Sequence, residues 1–220
     1  MGDQLFQVLP VSSREVVVSP VITTCIRRTV HGRSGITKPP YSAGEIADMY
    51  IYASRLPRPK TRRYILSLLY LGLGAGAIDG EQNLACTAEV TTAPDGTVSV
   101  VLHRAASELQ RASSRTVTVL EPYGHLLTDL ACDDSVGRDV WLLGGGARRR
   151  NRSSNLLEET SGHVTPAIDL YRLRSTYLLD LTTRRFTVAE LLAAGGVATL
   201  AAFDRVLALQ ATAVPTEPAS

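Results

Sequence analysis

The pattern of apolar and polar residues changes near residue 41. Residues 1–41 are rich in Val, Ile and Thr and show no helical period, which predicts short strands or an extended arm ending in a stiff Pro-Pro linker. Ser42 and Glu45 then have the spacing of a capping box, in which two side chains accept hydrogen bonds from free N–H groups at a helix start. A helix is therefore predicted from about 43 to 54.

A second helix is predicted from about 60 to 72. Tyr64, Leu68 and Leu71 recur at i, i+4 and i+7, which places them on one face of a helix against a core. The glycine-rich stretch 72–76 is expected to end this helix, because glycine disfavours a helix interior.

A small antiparallel sheet is predicted in the middle of the chain, after a short helix that starts near Gly80. Residues 89–92 and 97–102 flank an Asp-Gly turn at 95–96, a strong signal for a β-hairpin. The alternating stretch 115–120 predicts a third strand.

Residues 122–162 give weaker signals. A helix is expected over 122–132, and the apolar run 139–143 fits either a strand or a buried turn. The stretch 144–162, rich in Gly, Arg, Asn and Ser, is predicted to be a mobile loop.

Two helix-start signals occur in the C-terminal part. Thr165 followed by Pro166 predicts an N-cap and a helix that reaches about Leu181. Thr187 repeats the capping-box spacing, and the helix that it opens is expected to end at Gly195-Gly196.

Together these elements predict an α+β domain at 42–210, mainly α-helical, with a small three-stranded antiparallel sheet. Its last helix is expected over 199–209, and the Pro-containing tail 211–220 is expected to be disordered. Whether residues 1–41 fold onto the domain or serve as an arm stays open.

Charge changes this picture only where it is clustered. Lys plus Arg is 23 against 21 Asp plus Glu, and a net charge of +2 does not by itself indicate a nucleic-acid-binding protein. The arginines are nevertheless concentrated in 58–63 and 148–152, which suggests local anion contacts.

The remaining composition argues against several classes of protein. Cys25, Cys86 and Cys132 lack Cys-x-x-Cys spacing, which disfavours a disulfide framework or a zinc site, and the histidines form no ligand-spaced set. No apolar run reaches the roughly 18 residues that would span a membrane, and the N-terminus lacks the basic start of a signal peptide. We therefore expect a cytoplasmic protein without metal, cofactor or membrane partner.

Three motifs carry a resemblance to a known family. The stretch Gly74–Glu81 (GAGAIDGE) is similar to the glycine-rich turn of the tyrosine recombinases, the phage integrase family, and Arg115–Val119 is similar to their basic third strand. Leu170–Tyr177 (LYRLRSTY), followed by 191–196, resembles their second catalytic box. The resemblance covers about 41–210, looks closest to divergent actinobacterial-type integrase-like proteins, and implies the DNA breaking-rejoining catalytic-domain fold.

The resemblance also implies that the catalytic positions have changed. Ile78 stands where the family has its first arginine, Tyr171 and Gly196 stand where it has histidines, and Arg174 keeps the second arginine. Arginine forks and histidine donors stabilise the phosphoryl transition state, so their loss should abolish DNA cleavage. No tyrosine nucleophile follows Gly196, since Phe203 is the only aromatic residue there.

What remains is a set of arginines that could contact DNA phosphates. The candidates are Arg62, Arg63, Arg115, Arg148, Arg149, Arg150, Arg152 and Arg174. For Arg174 the alternative is an ion pair with Asp79 or Glu81, and for the 148–152 cluster it is a plain solubilising loop. Tyr171 could be a polar contact or a core aromatic, whereas Tyr177 is expected in the core.

Three functions are compatible with these motifs. The first is a catalytically inactive recombinase-like DNA-binding protein, accessory or regulatory to a mobile element. The second is an interaction module that docks to itself or to an active recombinase through an apolar stripe: Leu200, Phe203, Val206 and Leu207. The third is an enzyme with a relocated nucleophile, Tyr171 or Tyr177.

Overall fold

The computed structural model describes residues 37–106, 112–133, 140–144, 151–160 and 162–213. Three regions singled out above lie outside the described residues: most of the N-terminal arm, Arg148–Arg150, and the tail beyond 213.

Within these residues the chain forms eight α-helices and one three-stranded sheet. The helices are α1 (Ala43–Ser54), α2 (Pro59–Ala75), α3 (Asp79–Gln82), α4 (Tyr123–Cys132), α5 (Arg152–Thr160), α6 (Leu170–Thr182), α7 (Val188–Gly195) and α8 (Ala201–Ala213). The strands are β1 (Val90–Thr92), β2 (Val98–Arg104) and β3 (Ser113–Thr118). None of the helices in the described part is long and apolar enough to cross a membrane.

The sheet has the predicted hairpin and third strand. Its order is β1-β2-β3, both pairs are antiparallel, and Val100 lies opposite Val90 on one side and Val117 on the other. Gly96 adopts the left-handed conformation in the hairpin turn, with φ of 85°. Alternate residues of β2 are buried, so one face of the sheet packs on the helices.

The helix α2 forms the centre of the core. Its prediction was too short, because α2 continues through the glycines to Ala75 and is capped by Gly76 in the left-handed conformation. A Cβ at Gly72 would lie 2.8 Å from Leu173 of α6, and one at Gly74 would lie 2.6 Å from Tyr123 of α4. These glycines therefore let two helices approach α2 closely instead of ending it.

The predicted loop over 144–162 was partly wrong, since residues 152–160 form α5. Ser153, Leu156 and Thr160 are buried at helical spacing, but a single large apolar side chain is too weak a periodic signal to indicate a helix. Trp141 makes an isolated bridge with Cys86, which resolves the run 139–143 in favour of a turn rather than a strand over the residues described there.

The start of α6 was also predicted wrongly. The helix begins at Leu170, and the Asp169 carboxylate caps it by accepting hydrogen bonds from the N–H groups of Tyr171 and Arg172. Residues 165–169 are not helical because this segment bonds to Tyr41, whose hydroxyl donates to Ala167 O and accepts from Asp169 N. Both capping boxes, at Ser42 and Thr187, are confirmed.

The apolar stripe on α8 divides into a buried and an exposed half. Phe203 and Val206 are 2% and 1% exposed and pack on the same chain, so they belong to the core. Leu200 and Leu207 are 38% and 44% exposed. The helix extends to Ala213, so the first residues of the predicted tail are helical.

Candidate functional site

The motifs predicted to form the site meet at the guanidinium of Arg174. Its Nη1 donates to the carbonyl oxygen of Gly76, at the end of α2, and its Nη2 donates to that of Gly195, at the end of α7. Both carbonyls lie at helix C-termini, where a cation complements the helix dipole. Three elements that are distant in sequence are thus joined by one side chain.

Arg115 of β3 lies in the same place and is paired with Glu81 of α3. Its Nε donates to Glu81 Oε1 at 2.8 Å and its Nη2 to Oε2 at 2.9 Å, while the two side chains are 18% and 9% exposed. Further hydrogen bonds reach Ala194 O at 3.2 Å and Gly76 O at 3.2 Å. Arg115 therefore uses its donors within the protein.

The pKa values of this pair reflect their mutual stabilisation. Burial alone would raise the pKa of Glu81, but the hydrogen bonds and charge of Arg115 outweigh it and hold the pKa below the usual range. Burial likewise opposes the charged form of Arg115, and Glu81 outweighs it, so the pKa of Arg115 is raised. Both groups are charged at neutral pH.

The positive charge of Arg174 is less well compensated than that of Arg115. Burial, together with the positive charge of Arg115, lowers the pKa of Arg174 from 12.5 to about 10, with a smaller contribution from Arg104. Glu81 acts in the opposite direction but is already bonded to Arg115. The site thus holds more positive than negative charge, and an added anion would stabilise it.

Two of the changed positions border this cluster. Ile78 precedes α3, and its backbone N–H donates to Glu81 Oε2 at 3.0 Å. Gly196 caps α7 with φ of 60°, and a Cβ built there would lie 3.0 Å from three atoms of the Arg115 side chain. Arg115 therefore lies directly against the space that a side chain at 196 would need.

The two tyrosines of α6 have different environments. Tyr171 is 48% exposed, so it is not a core residue. Tyr177 is fully buried, as expected, and its hydroxyl donates to Ala194 O at 3.1 Å. Because it is buried and bonded, Tyr177 is a poor candidate for a nucleophile.

The other candidate arginines that the structure describes, Arg62, Arg63 and Arg152, do not join this cluster. Arg62 donates to Leu56 O at 3.1 and 2.8 Å, just beyond α1, and Arg152 donates to Leu143 O at 2.9 Å. Arg63 is only 3% exposed, which leaves little surface for a phosphate, and its contact with DNA stays a prediction.

Two features were missed at the sequence level. One is the segment 38–41, which lies along the start of α6 through contacts of Tyr41 and Arg172. The other is a polar network in which Ser153 of α5 bonds to Asp79 and Asn83. Only the Pro-Pro pair before Tyr41 hinted at the first feature, and the second had no local signal in the sequence.

Across the residues that the structure describes, no group of three or more His, Cys, Asp or Glu side chains could hold a metal ion.

Solved structures with a similar fold exist, although no family model and no curated protein matches this sequence. The crystal structure of XerA recombinase has a TM-score of 0.51 and 14% identity, and the match covers 84% of this chain and 67% of that one. XerH site-specific recombinase bound to difH substrate, in a pre-cleavage complex, has a TM-score of 0.52 and 12% identity over 81% of this chain. Its post-cleavage complex with palindromic difH substrate has a TM-score of 0.50 and 12% identity over 80%.

This chain spans about half the length of the XerH recombinase, 53% in both complexes. The likeness confirms the predicted fold class: the chain has a tyrosine-recombinase-like fold, mainly helical with a small three-stranded antiparallel sheet.

Proposed function

We propose that this chain binds duplex DNA through its phosphate backbone and does not cleave it, acting as an accessory or regulatory protein of a mobile element. The observation that carries the proposal is the uncompensated positive charge at Arg174. Burial, Arg115 and Arg104 lower the pKa of Arg174, whereas Glu81 and Tyr177 raise it, and the pKa falls from 12.5 to about 10. A phosphate at Arg174 would therefore stabilise its charged form.

The geometry of Arg174 is compatible with such a ligand. A guanidinium has five N–H donors, and the carbonyls of Gly76 and Gly195 each accept a bond from a different Nη atom. The residue as a whole is half-buried, and the remaining N–H groups of its guanidinium are the donors that a phosphate would use. Arg115, in contrast, is committed to Glu81 and serves to hold the site together.

The shared fold adds support, since the XerH site-specific recombinase, which has a similar fold, is bound to its difH substrate in both complexes. The proposal that cleavage is absent has a different basis. The side chain of Ile78 offers no donor, Gly196 has no side chain, and no tyrosine occurs over residues 197–220. A phosphoryl transfer at this site would thus lack two charge-stabilising side chains and, within these residues, a tyrosine nucleophile.

Binding is tested by titrating a labelled duplex at about 50 and 200 mM salt. For the wild type we expect binding at low salt that weakens steeply at high salt, because phosphate contacts release counterions. Arg174→Ala should weaken binding to all sequences and reduce the slope of log K against log salt by about 1. Arg184→Ala is the matched control, as Arg184 lies just beyond the other end of α6 in an exposed pair with Asp180.

Because Arg174 also joins three elements, Arg174→Lys is measured in parallel; it keeps the charge and one point of contact. Retained binding in this variant, with loss in the alanine variant at equal folded fraction, supports the proposal. Failure of the wild type to bind the duplex at 50 mM salt would contradict the proposal.

A nicked suicide duplex tests the absence of cleavage. We expect no covalent protein–DNA adduct, and an adduct lost in Tyr171→Phe would show instead that Tyr171 is a relocated nucleophile.

The contribution of Arg148–Arg150 to DNA binding is assayed with the double variant Arg148→Ala and Arg149→Ala. Self-association and docking to an active recombinase stay predictions from the sequence.

A further inference from the structure

The segment 38–41 is fixed to the start of α6 by hydrogen bonds at Tyr41. The Tyr41 N–H donates to Thr176 Oγ1 at 2.8 Å, and its hydroxyl donates to Ala167 O at 2.7 Å. The same hydroxyl accepts from Asp169 N at 2.8 Å. The backbone of Tyr41 thus contacts α6, and its side chain contacts the segment just before the helix.

Arg172 fixes the two prolines that precede Tyr41. Its Nε donates to Pro39 O at 3.0 Å and its Nη2 to Pro40 O at 3.3 Å, while its guanidinium lies 3.8 Å from the centre of the Tyr41 ring. Glu45 completes this arrangement by pairing with Arg172 at 2.9 Å. Proline has a restricted φ, so the backbone next to Lys38 has little freedom.

Lys38 is therefore held in a defined position, next to the first turn of α6. Its ammonium pairs with Asp169 and lies 5.8 Å from the centre of the Tyr171 ring. The Lys38 side chain is 42% exposed and Tyr171 is 48% exposed, so a solvent-facing cation stands beside a solvent-facing phenol.

Tyr171 lies about one helical turn before Arg174. The two residues are three apart on α6, which places their Cβ atoms about 5–6 Å apart. The phenol of Tyr171 can donate one hydrogen bond, and an ammonium is a compact charge that binds phosphate from many directions. Lys38 and Tyr171 thus form a pair of exposed donors at the start of α6.

We propose that Lys38 is a second phosphate contact, at the start of α6 beside Tyr171 and about one helical turn from Arg174. This inference rests on the proposed DNA binding and names a residue through which it acts. The alternative role is a tether: Lys38 neutralises Asp169 and holds the segment 38–41 in place.

A double-mutant cycle separates the two roles. Lys38→Gln, Asp169→Asn and the double variant are titrated with a labelled duplex at about 50, 100 and 200 mM salt; asparagine still caps α6. A direct contact predicts that Lys38→Gln lowers the salt slope by about 0.9 in both the wild-type and the Asp169→Asn backgrounds. A tether predicts no effect of Lys38→Gln once Asp169 is neutral, and that result overturns the proposal.

The pair Arg184 and Asp180 provides the matched control. It is also an exposed ion pair of α6, at the opposite end of the helix, with 36% and 45% exposed side chains. Arg184→Gln should leave the salt slope unchanged, and Lys38→Arg should restore binding because it restores the charge. An equal loss in Arg184→Gln and Lys38→Gln would mean a general charge effect and would overturn the specific contact.

Chemical modification gives a second measurement on the unaltered protein. The chain has only two lysines, Lys38 and Lys60, so their acetylated peptides are resolved by mass spectrometry. We expect saturating duplex to protect Lys38 from acetylation several-fold, and unchanged reactivity of Lys38 overturns the inference. If the wild type binds DNA and Arg174→Ala weakens binding, while Lys38→Gln leaves the salt slope unchanged and DNA does not protect Lys38, only this inference fails. If the wild type does not bind DNA, the proposed function itself fails.

Discussion

The pair of Glu81 and Arg115 shows how much one residue can contribute to this site. Burying an ion pair is expensive, and its attraction repays the cost only when the geometry is good and the remaining donors are bonded. Both conditions hold here, because two hydrogen bonds join the pair and backbone carbonyls accept from the rest of the guanidinium. Removing one partner leaves the other buried and unpaired.

We therefore expect Glu81→Gln to lower the free energy of unfolding by about 3 kcal/mol at pH 7. The pKa of Glu81 is lowered in the folded state, so the stability that it contributes is present above its unfolded pKa, about 4.3. That contribution is lost as pH falls through the folded pKa. Urea unfolding between about pH 6 and 3 should show a shallower acid loss in Glu81→Gln than in the wild type.

The exposed Glu159 of α5 supplies the control for this experiment. Glu159→Gln should change stability by less than about 0.5 kcal/mol at every pH. An equally steep acid loss in wild type and Glu81→Gln would contradict the role assigned to the pair.

At the scale of elements, α5 depends on residues far away in the sequence. It has nine residues, too few for an isolated helix to be stable in water. Asn83 Oδ1 accepts from Ser153 N at 2.8 Å and from Ser153 Oγ at 3.1 Å, so its side chain takes the place of an N-cap. The polar network anchors the first turn, and buried Leu156 anchors the second.

Asn83→Ala should therefore destabilise α5 by about 1–2 kcal/mol, since it removes a capping acceptor. Hydrogen exchange should show faster exchange of the amides at 153–156 than in the wild type. Asn155→Ala, an exposed change within the same helix, should leave this exchange unchanged or slow it. Unchanged protection in Asn83→Ala would mean that packing alone holds α5.

The elements also show which features a sequence can reveal. Both capping boxes and the hairpin turn were predicted because their partners lie within a few residues, at Ser42, Asp95 and Thr187. The start of α6 was predicted wrongly, because the Thr165-Pro166 signal was preferred to the Asp169 cap, and the segment before α6 bonds to Tyr41, 128 residues from Asp169. Similarly, Asn83 and Ser153 are 70 residues apart. Local chemistry was predictable, and contacts made by the tertiary fold were not.

At the scale of the whole molecule, α8 packs against the chain that carries it. A Cβ at Gly195 would lie 2.9 Å from the Phe203 ring, so α8 contacts the same residue whose carbonyl binds Arg174. Through this contact, α8 packs against the end of α7 that binds Arg174. The sequence suggested an apolar stripe but could not indicate which half of it would be buried.

Phe203→Ala should lower the free energy of unfolding by about 3–5 kcal/mol, since it removes a buried aromatic side chain and leaves a cavity. Leu207→Ala, on the exposed half of the same helix, should cost less than about 1 kcal/mol. Urea unfolding measures both changes. Because α8 packs in cis, both midpoints should be independent of protein concentration; a midpoint that rises with concentration would indicate exchange of α8 between chains.

The resemblance pointed to Arg174, Ile78 and Gly196, and all three have contacts with Arg115, Glu81 or the Gly76 carbonyl that Arg115 also binds. It did not reveal that Arg115 would be committed to Glu81, because the ion pair joins residues 34 positions apart. It also gave no indication of Lys38, which reaches α6 from outside the three motifs. Side-chain partners, in contrast to motif positions, are set by packing.

The contact between Gly196 and Arg115 constrains how this protein can evolve. A side chain at 196 would need a left-handed backbone and would push on a guanidinium held by five hydrogen bonds to Glu81 and to the carbonyls of Ala75, Gly76 and Ala194. A histidine at 196 would therefore require Arg115 to shift by a few tenths of an ångström, against the hydrogen bonds that hold it to Glu81. We expect positions 81, 115 and 196 to be coupled, so that the effect of a side chain at 196 depends on the residues at 115 and 81.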